Sequence, residues 1–292
     1  MRRFALCSTF VCILFMTLGL AQQPPEGGSS GSKATAWAIL KAGVSNSSYD
    51  KRAKAVQVLG LLKGDAEAQR LATAALQDER PEVRAAAAAA LGDMDAKSAA
   101  DELRNMFGDN DVTVILASAR ALLNLGDKRG YDVYYAILTG ETKAGTGLLE
   151  SQKKMLKDPQ KMAQFGFEQG INFIPFAGLG WGAFKMLRKD DTSPVLAAAA
   201  LTLAADPDPK SGEALMNAAQ LNQSWIVRAA ALNALAKRGD PSLIPAAENQ
   251  LQDQKEEVQY SAAAAVIRLT DIAQHHSAAQ EKQQPTKKKP KQ

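Results

Sequence analysis

Few residues in this chain have the types and spacing that catalysis or metal binding requires. His275 and His276 are the only histidines, and as neighbours on a helix they would point in different directions. Both cysteines, Cys7 and Cys12, lie in the apolar run near the amino terminus, so a chain cut after that run has no thiol. We therefore expect no catalytic residue and no metal site, and we expect a protein that is not an enzyme.

A glycine series is the other candidate for ligand chemistry. Gly178, Gly180 and Gly182 are separated by single residues. Dinucleotide loops need GxGxxG between a strand and a helix, and phosphate loops end in Gly-Lys-Ser or Gly-Lys-Thr. The series meets neither requirement, and we expect no nucleotide and no other cofactor.

The charged residues that do recur at a fixed spacing are Asp and Arg. Asp78 is followed five residues later by Val83 and Arg84, and then by an alanine-rich helical pattern. Six copies of this segment can be aligned, and they begin at Lys51, Val83, Val114, Val195, Val227 and Val258. The steps between them are 32, 31, 81, 32 and 31 residues. A period of this length predicts a solenoid, in which each helical pair packs on its neighbours.

A polar residue stands five positions before the start of each copy. These residues are Asn46, Asp78, Asp109, Asp190, Asn222 and Asp253. Asp and Asn fit the turn before a second helix, because their side-chain oxygen can accept from N–H groups that the helix leaves unpaired. The residue after each start is Arg in three copies, namely Arg52, Arg84 and Arg228. In the others it is Ile115, Leu196 and Gln259.

This pattern of Asp, then Val-Arg, then an Ala-Ala-x-Ala-Leu helix resembles the HEAT-repeat family in its short, bilin-lyase-like form. The resemblance covers about 34–273, apart from an insertion. It implies an all-α fold, a right-handed α-solenoid of about six helical pairs, with a ladder of charge-assisted bonds between neighbouring pairs. The ladder residues that it implies are Arg52, Asp78, Arg84, Asp109, Asp190, Arg228 and Asp253. The resemblance implies no particular activity, because a fold alone does not define a function.

Helix ends are also marked in the sequence. Asp208-Pro209 and Asp240-Pro241 each place a capping Asp before a proline at the first helical position. Glycines stand where a left-handed helix end is expected. These are Gly92, Gly126 and Gly239.

The long step of 81 residues contains one repeat and an insertion of about 50 residues, 140–189. The register places this insertion between two helices of the fourth pair. The first of these helices is 128–138, and the second follows Asp190. The predicted organisation is therefore three pairs and one helix in 34–139, the insertion, and the remaining helices in 190–273.

The insertion ends in the segment GINFIPFAGLGWGAFKM, residues 170–186, which has no charge before Lys185. Large exposed apolar groups mark interaction sites, so these side chains need a surface to cover them. Three surfaces fit: the solenoid itself, a protein partner and a membrane surface. The run is shorter than the 18 or so residues that a membrane-spanning helix needs. The candidate contact residues are Phe173, Phe176, Trp181 and Phe184.

The two terminal segments predict export and a solvated tail. Residues 1–21 have a basic start, an apolar run and small residues before Ala21, as a secretory signal peptide does; an uncleaved signal anchor is the alternative. Residues 22–33 read as a flexible linker, and 274–292 as a disordered basic tail. The net charge of +4 is small, and we expect no nucleic-acid partner.

Together these features predict an exported, periplasmic or extracellular scaffold without catalytic activity that binds a protein partner. The alternative is a peripheral membrane protein that uses 170–186 as its anchor.

Overall fold

The computed structural model describes residues 28–139 and 193–283, and its regular elements there are all helices. The amino-terminal part contains α1 (Gly28–Val44), α2 (Tyr49–Val58), α3 (Ala66–Ala75), α4 (Pro81–Asp93), α5 (Ala100–Asn105), α6 (Val112–Asn124) and α7 (Gly130–Thr139). The carboxyl-terminal part contains α8 (Ser193–Leu203), α9 (Pro209–Leu221), α10 (Trp225–Arg238), α11 (Ile244–Glu248) and α12 (Glu256–Gln283). The all-α solenoid predicted from the repeat is confirmed.

Two helices extend beyond the predicted ends of the folded region. α1 begins at Gly28, inside the predicted linker, and α12 continues to Gln283, inside the predicted tail. Residues 274–283 contain no glycine or proline and are rich in Ala, Gln, Glu and Lys, which favour helix. His275 and His276 are therefore exposed residues of a helix.

Most of the residues predicted to start or end a helix do so in the structure. Asp208 and Asp240 accept from backbone N–H groups at helix starts, as predicted. Gly126 and Gly239 have φ of 85° and 72°, in the left-handed region where glycine is favoured. The prediction for Gly92 is wrong, because this residue is buried inside α4.

Gly92 has a packing role in place of a turn role. A Cβ atom at this position would lie 2.7 Å from the Cα atom of Ala121 on α6. The missing side chain therefore allows α4 and α6 to approach closely. The left-handed residue after α4 is Asp95, with φ of 59°.

The second helices of the pairs pack side by side in one row. Neighbours in this row are α8, α10, α12, α2, α4 and α6, in that order. The row is built largely from alanine; α12, for example, buries all four alanines of 262–265. Small side chains let the helices lie close together, and larger residues such as Leu91 and Leu122 fill the remaining space.

The spatial order of the row differs from the order along the chain. The last helix, α12, packs on α1 and α2, so the sixth pair lies against the first. We call this junction of α12 with α1 and α2 the seam. The chain thus forms an amino-terminal half (28–139) and a carboxyl-terminal half (193–283) that meet at the middle of the row.

Among the described helices, the ends of the row are formed by the two that the sequence placed in one pair. α7 packs on α6 at one end, whereas α8 packs on α9 and α10 at the other. Val133 of α7 is buried, and so are Ala197 and Ala200 of α8. No helix within the described ranges is long and apolar enough to cross a membrane.

Candidate interaction surfaces

Arginine side chains connect neighbouring pairs within each half. Arg84 donates through Nε and Nη2 to both carboxylate oxygens of Asp109, at 2.7 and 2.8 Å. Arg52 holds Asp78 in the same way at 2.9 and 2.9 Å, and Arg228 holds Asp253 at 2.7 and 2.9 Å. Two parallel bonds between charged groups make each contact strong and directional.

Each of these arginines also forms hydrogen bonds to the turn that precedes its own helix. Nη1 of Arg84 donates to the backbone oxygens of Asp78 and Glu79, at 2.9 and 3.1 Å. Arg52 and Arg228 make the equivalent bonds in their own turns. One side chain therefore fixes the turn of its own pair and the position of the next pair.

The turn carboxylates are partly buried and remain charged. Burial alone would raise the pKa of Asp78, but the bonds from Arg52 and from the backbone N–H of Arg80 outweigh it and lower the pKa. The pKa of Asp253 is lowered in the same way by Arg228 and the N–H of Lys255. These groups act as structural anions.

Asparagine replaces aspartate in two of the turns. Asn46 and Asn222 still accept from the backbone N–H two residues on, at 2.9 Å in both cases. In the row, the pair beside Asn222 has Leu196 at the arginine position, and the pair beside Asn46 has Gln259. The negative charge is thus absent where the neighbouring pair has no arginine to neutralise it.

The seam has its own set of ion pairs. Lys51 bonds to Glu256 at 2.8 Å, Lys54 bonds to Glu257 at 2.9 Å, and Lys33 bonds to Asp271. The pKa of Glu256 is lowered, with the bond from Lys51 as the largest cause. Burial opposes the charge of Glu257, yet its pKa is also lowered because Lys54 donates to it.

Close apolar packing accompanies these charges at the seam. A Cβ atom on Gly43 would lie 2.7 Å from Cβ of Ala55 and 2.7 Å from the ring of Tyr260, so α1 touches both α2 and α12 there. Tyr260 is buried, and its hydroxyl donates to Glu256 at 2.9 Å. The Nζ atom of Lys54 lies 5.2 Å from the ring centre of Trp225, which is cation–π distance.

The carboxyl ends of several second helices converge near the seam. Arg268 on α12 donates to the backbone oxygens of Ala236 and Leu61, at 2.7 Å each, and so bridges α10 to the turn after α2. Asp93, at the end of α4, lies near two cations of other pairs, Arg120 on α6 and Lys237 on α10. Partial desolvation raises its pKa although the residue is solvent-exposed, and Arg120 and Lys237 attract its charged form.

The α7 end of the row is aromatic. Tyr131 is 62% exposed and Tyr135 41% exposed. Tyr134 lies closer to α6, within 3.5 Å of the backbone oxygen of Leu116, and burial raises its pKa. Other large exposed apolar residues of the described ranges are Leu196 on α8 and Leu221 on α9.

Several predicted site residues lie outside the described residues. They are Phe173, Phe176, Trp181, Phe184 and Asp190. Their contacts, including those with a membrane, therefore stay predictions. Within 28–139 and 193–283, no group of three or more His, Cys, Asp or Glu residues is placed to hold a metal ion.

Sequence reasoning missed the residues of the seam. A signal was present in the sequence, because Asn46 and Gln259 are uncharged residues at the positions where other copies have Asp and Arg. Its meaning depends on knowing that the sixth pair lies beside the first.

The repeat geometry agrees with the comparison to known families. A sequence model described as HEAT repeats matches residues 38–124 and 182–267, together well over half of the 292 residues. The chain belongs to the HEAT-repeat family. The first matched region lies within the amino-terminal half, and the second ends within the carboxyl-terminal half, so each half contains its own set of HEAT repeats.

Solved structures similar to this HEAT-repeat protein share little sequence with it. Human deoxyhypusine hydroxylase in complex with glycerol is 16% identical, with a TM-score of 0.31, over 85% of this chain and 88% of that chain. The complex of CpcE and CpcF of phycocyanin lyase from Nostoc sp. PCC7120 is 21% identical, with a TM-score of 0.31, over 87% and 98%. An engineered protein is 17% identical, with a TM-score of 0.27, over 81% and 97%. No curated protein matches the chain. We carry no activity or ligand from these proteins to this one.

Proposed function

We propose that this HEAT-repeat protein is an exported scaffold without catalytic activity, which binds a protein partner at the α7 end of its row. The observation that carries the proposal is the exposure of Tyr131, 62%, on α7, which is the last of the described helices at its end of the row. Solenoids normally close their ends with polar capping repeats. An aromatic end is the opposite of such a cap.

The chemistry of α7 suits a protein partner. Tyrosine offers a large apolar ring and a hydroxyl that can form hydrogen bonds, and it is enriched at protein interfaces. The chain also passes directly from α7 into the insertion, 140–189, whose sequence contains the other aromatic cluster. Both aromatic segments therefore belong to the stretch of chain between α6 and α8.

The test is affinity capture with the chain that begins after the predicted signal. Tyr131→Arg places a charge on the proposed surface, and Leu221→Arg is the matched control, because Leu221 is 76% exposed on α9. We expect a protein retained by the wild type and by the control to be lost with Tyr131→Arg. Equal retention by all three proteins, or no retained protein, would contradict the proposal.

Export is supported by the signal-like residues 1–21. Amino-terminal sequencing of the exported protein should begin at Gln22. A product that stays inside the cell with the full-length mass would contradict this part of the proposal.

A further inference from the structure

The seam joins parts of the chain that are far apart in sequence. Lys51 and Glu256, for example, are 205 positions apart. The covalent link between the halves leaves α7 at one end of the row and returns at α8, at the other end. Residues that meet at the seam are therefore not neighbours along the chain, and the described ion pairs and apolar contacts of α12 with α1 and α2 join the halves there.

Charge at the seam is divided between the two halves. In the described ion pairs, the amino-terminal half supplies Lys33, Lys51 and Lys54, and each of them meets a carboxylate of the carboxyl-terminal half. A positive surface that faces a negative surface is the arrangement by which separate proteins find each other and fix their register.

The seam also combines this charged border with a buried centre. Ala36 and Leu40 of α1 and Val258 and Tyr260 of α12 are fully or almost fully buried. An apolar centre with a polar border is the usual anatomy of a protein interface. Contacts reach past the adjacent pair, because Lys54 lies over Trp225 of the fifth pair.

We infer that the seam is a protein–protein interface in its own right, through which the two halves of the chain bind each other without the covalent link. The partner that fits the lysine surface of α1 and α2 is a HEAT-repeat unit ending in an acidic helix, as the carboxyl-terminal half does. This inference does not depend on the proposed function.

The experiment uses the chain from residue 22 onward with a protease site placed inside 140–189. After cleavage, we expect the two fragments to elute together as a 1:1 complex with unchanged helical content. Lys51→Glu combined with Lys54→Glu should raise the concentration at which the fragments separate by about tenfold or more, because like charges then face Glu256 and Glu257.

The matched control is Lys63→Glu combined with Arg70→Glu. It makes the same change in charge in the same half, and both residues form ion pairs inside that half. We expect it to leave the complex intact. Adding Glu256→Lys and Glu257→Lys to the seam variant should restore the complex, which separates a lost interface from a misfolded half.

Two results would overturn the inference. One is separation of the wild-type fragments at micromolar concentration once the insertion is cut. The other is a cut complex that the seam variant and the control weaken equally, since the halves would then be held by something other than the seam.

Discussion

Arg84 shows how one side chain can determine the geometry of a repeat. Its guanidinium spans the carboxylate of Asp109 in the next pair and two backbone oxygens in its own turn. Lysine could not replace it, because an ammonium group lacks the planar fork that makes two parallel bonds. Arg84 thus joins its own turn to the next pair.

Replacing Arg84 with alanine should destabilise the protein strongly. The side chain of Asp109 is only 7% exposed, so its charge would lose its partner in a partly buried site. We expect the free energy of unfolding in urea to fall by about 2–3 kcal/mol. Arg70→Ala is the control, because Arg70 is 63% exposed and bonds to Glu67 on its own helix. If both substitutions lowered the free energy of unfolding equally, the bond between Arg84 and Asp109 would contribute no more than an exposed ion pair.

At the scale of helices, small residues set how closely the row can pack. Gly92 of α4 lies against the backbone of Ala121, and Gly43 of α1 lies against Ala55 and Tyr260. Neither glycine is needed for its own backbone conformation, since neither has a positive φ. Their role is visible only when the neighbouring helix is in place.

Gly92→Ala should therefore be destabilising, even though alanine favours helix more than glycine does. The added methyl group would come within 2.7 Å of a backbone atom of α6, and the two helices would have to separate. We expect a cost of about 1–3 kcal/mol in the free energy of unfolding. Gly108→Ala is the control, because a Cβ atom there has nothing within 4 Å. A neutral or stabilising Gly92→Ala would mean that α4 and α6 are not in such close contact.

Local spacing was sufficient to predict the helical fold and the repeat, whereas the arginine ladder was implied by the resemblance to HEAT-repeat proteins. The period of 31 or 32 residues depends on side chains near each other in sequence, and Arg84 and Asp109 are only 25 positions apart. The error at Gly92 arose because close approach and a left-handed turn both favour glycine. The structure distinguishes the two through Ala121 and Asp95.

At the scale of the whole molecule, the order of the pairs could not be predicted from spacing. Chain order placed α7 and α8 in one pair, but each packs on helices of its own half, and α12 packs on α1 and α2 instead. Contacts between residues about two hundred positions apart leave no periodic signal. Asn46 and Gln259 are uncharged at the positions where the ladder has Asp and Arg, but so are Asn222 and Leu196 in copies that follow each other in the chain.

The order of the helices in the row determines where a partner bound at α7 would lie. The insertion connects the two ends of the row, and the seam, at its middle, joins the halves through contacts of its own. A partner bound at α7 would therefore lie at one end of the described row, away from the seam.

Carbodiimide cross-linking of the monomer tests the packing of α12 on α1 and α2 most directly. The reagent joins a lysine amine to a carboxylate only when the two are in contact, as Lys51 and Glu256 are at 2.8 Å and Lys54 and Glu257 at 2.9 Å. Mass spectrometry of the digested monomer should identify peptides that connect α2 to the start of α12. Cross-links confined to pairs within each half, with none between α2 and α12, would contradict the arrangement.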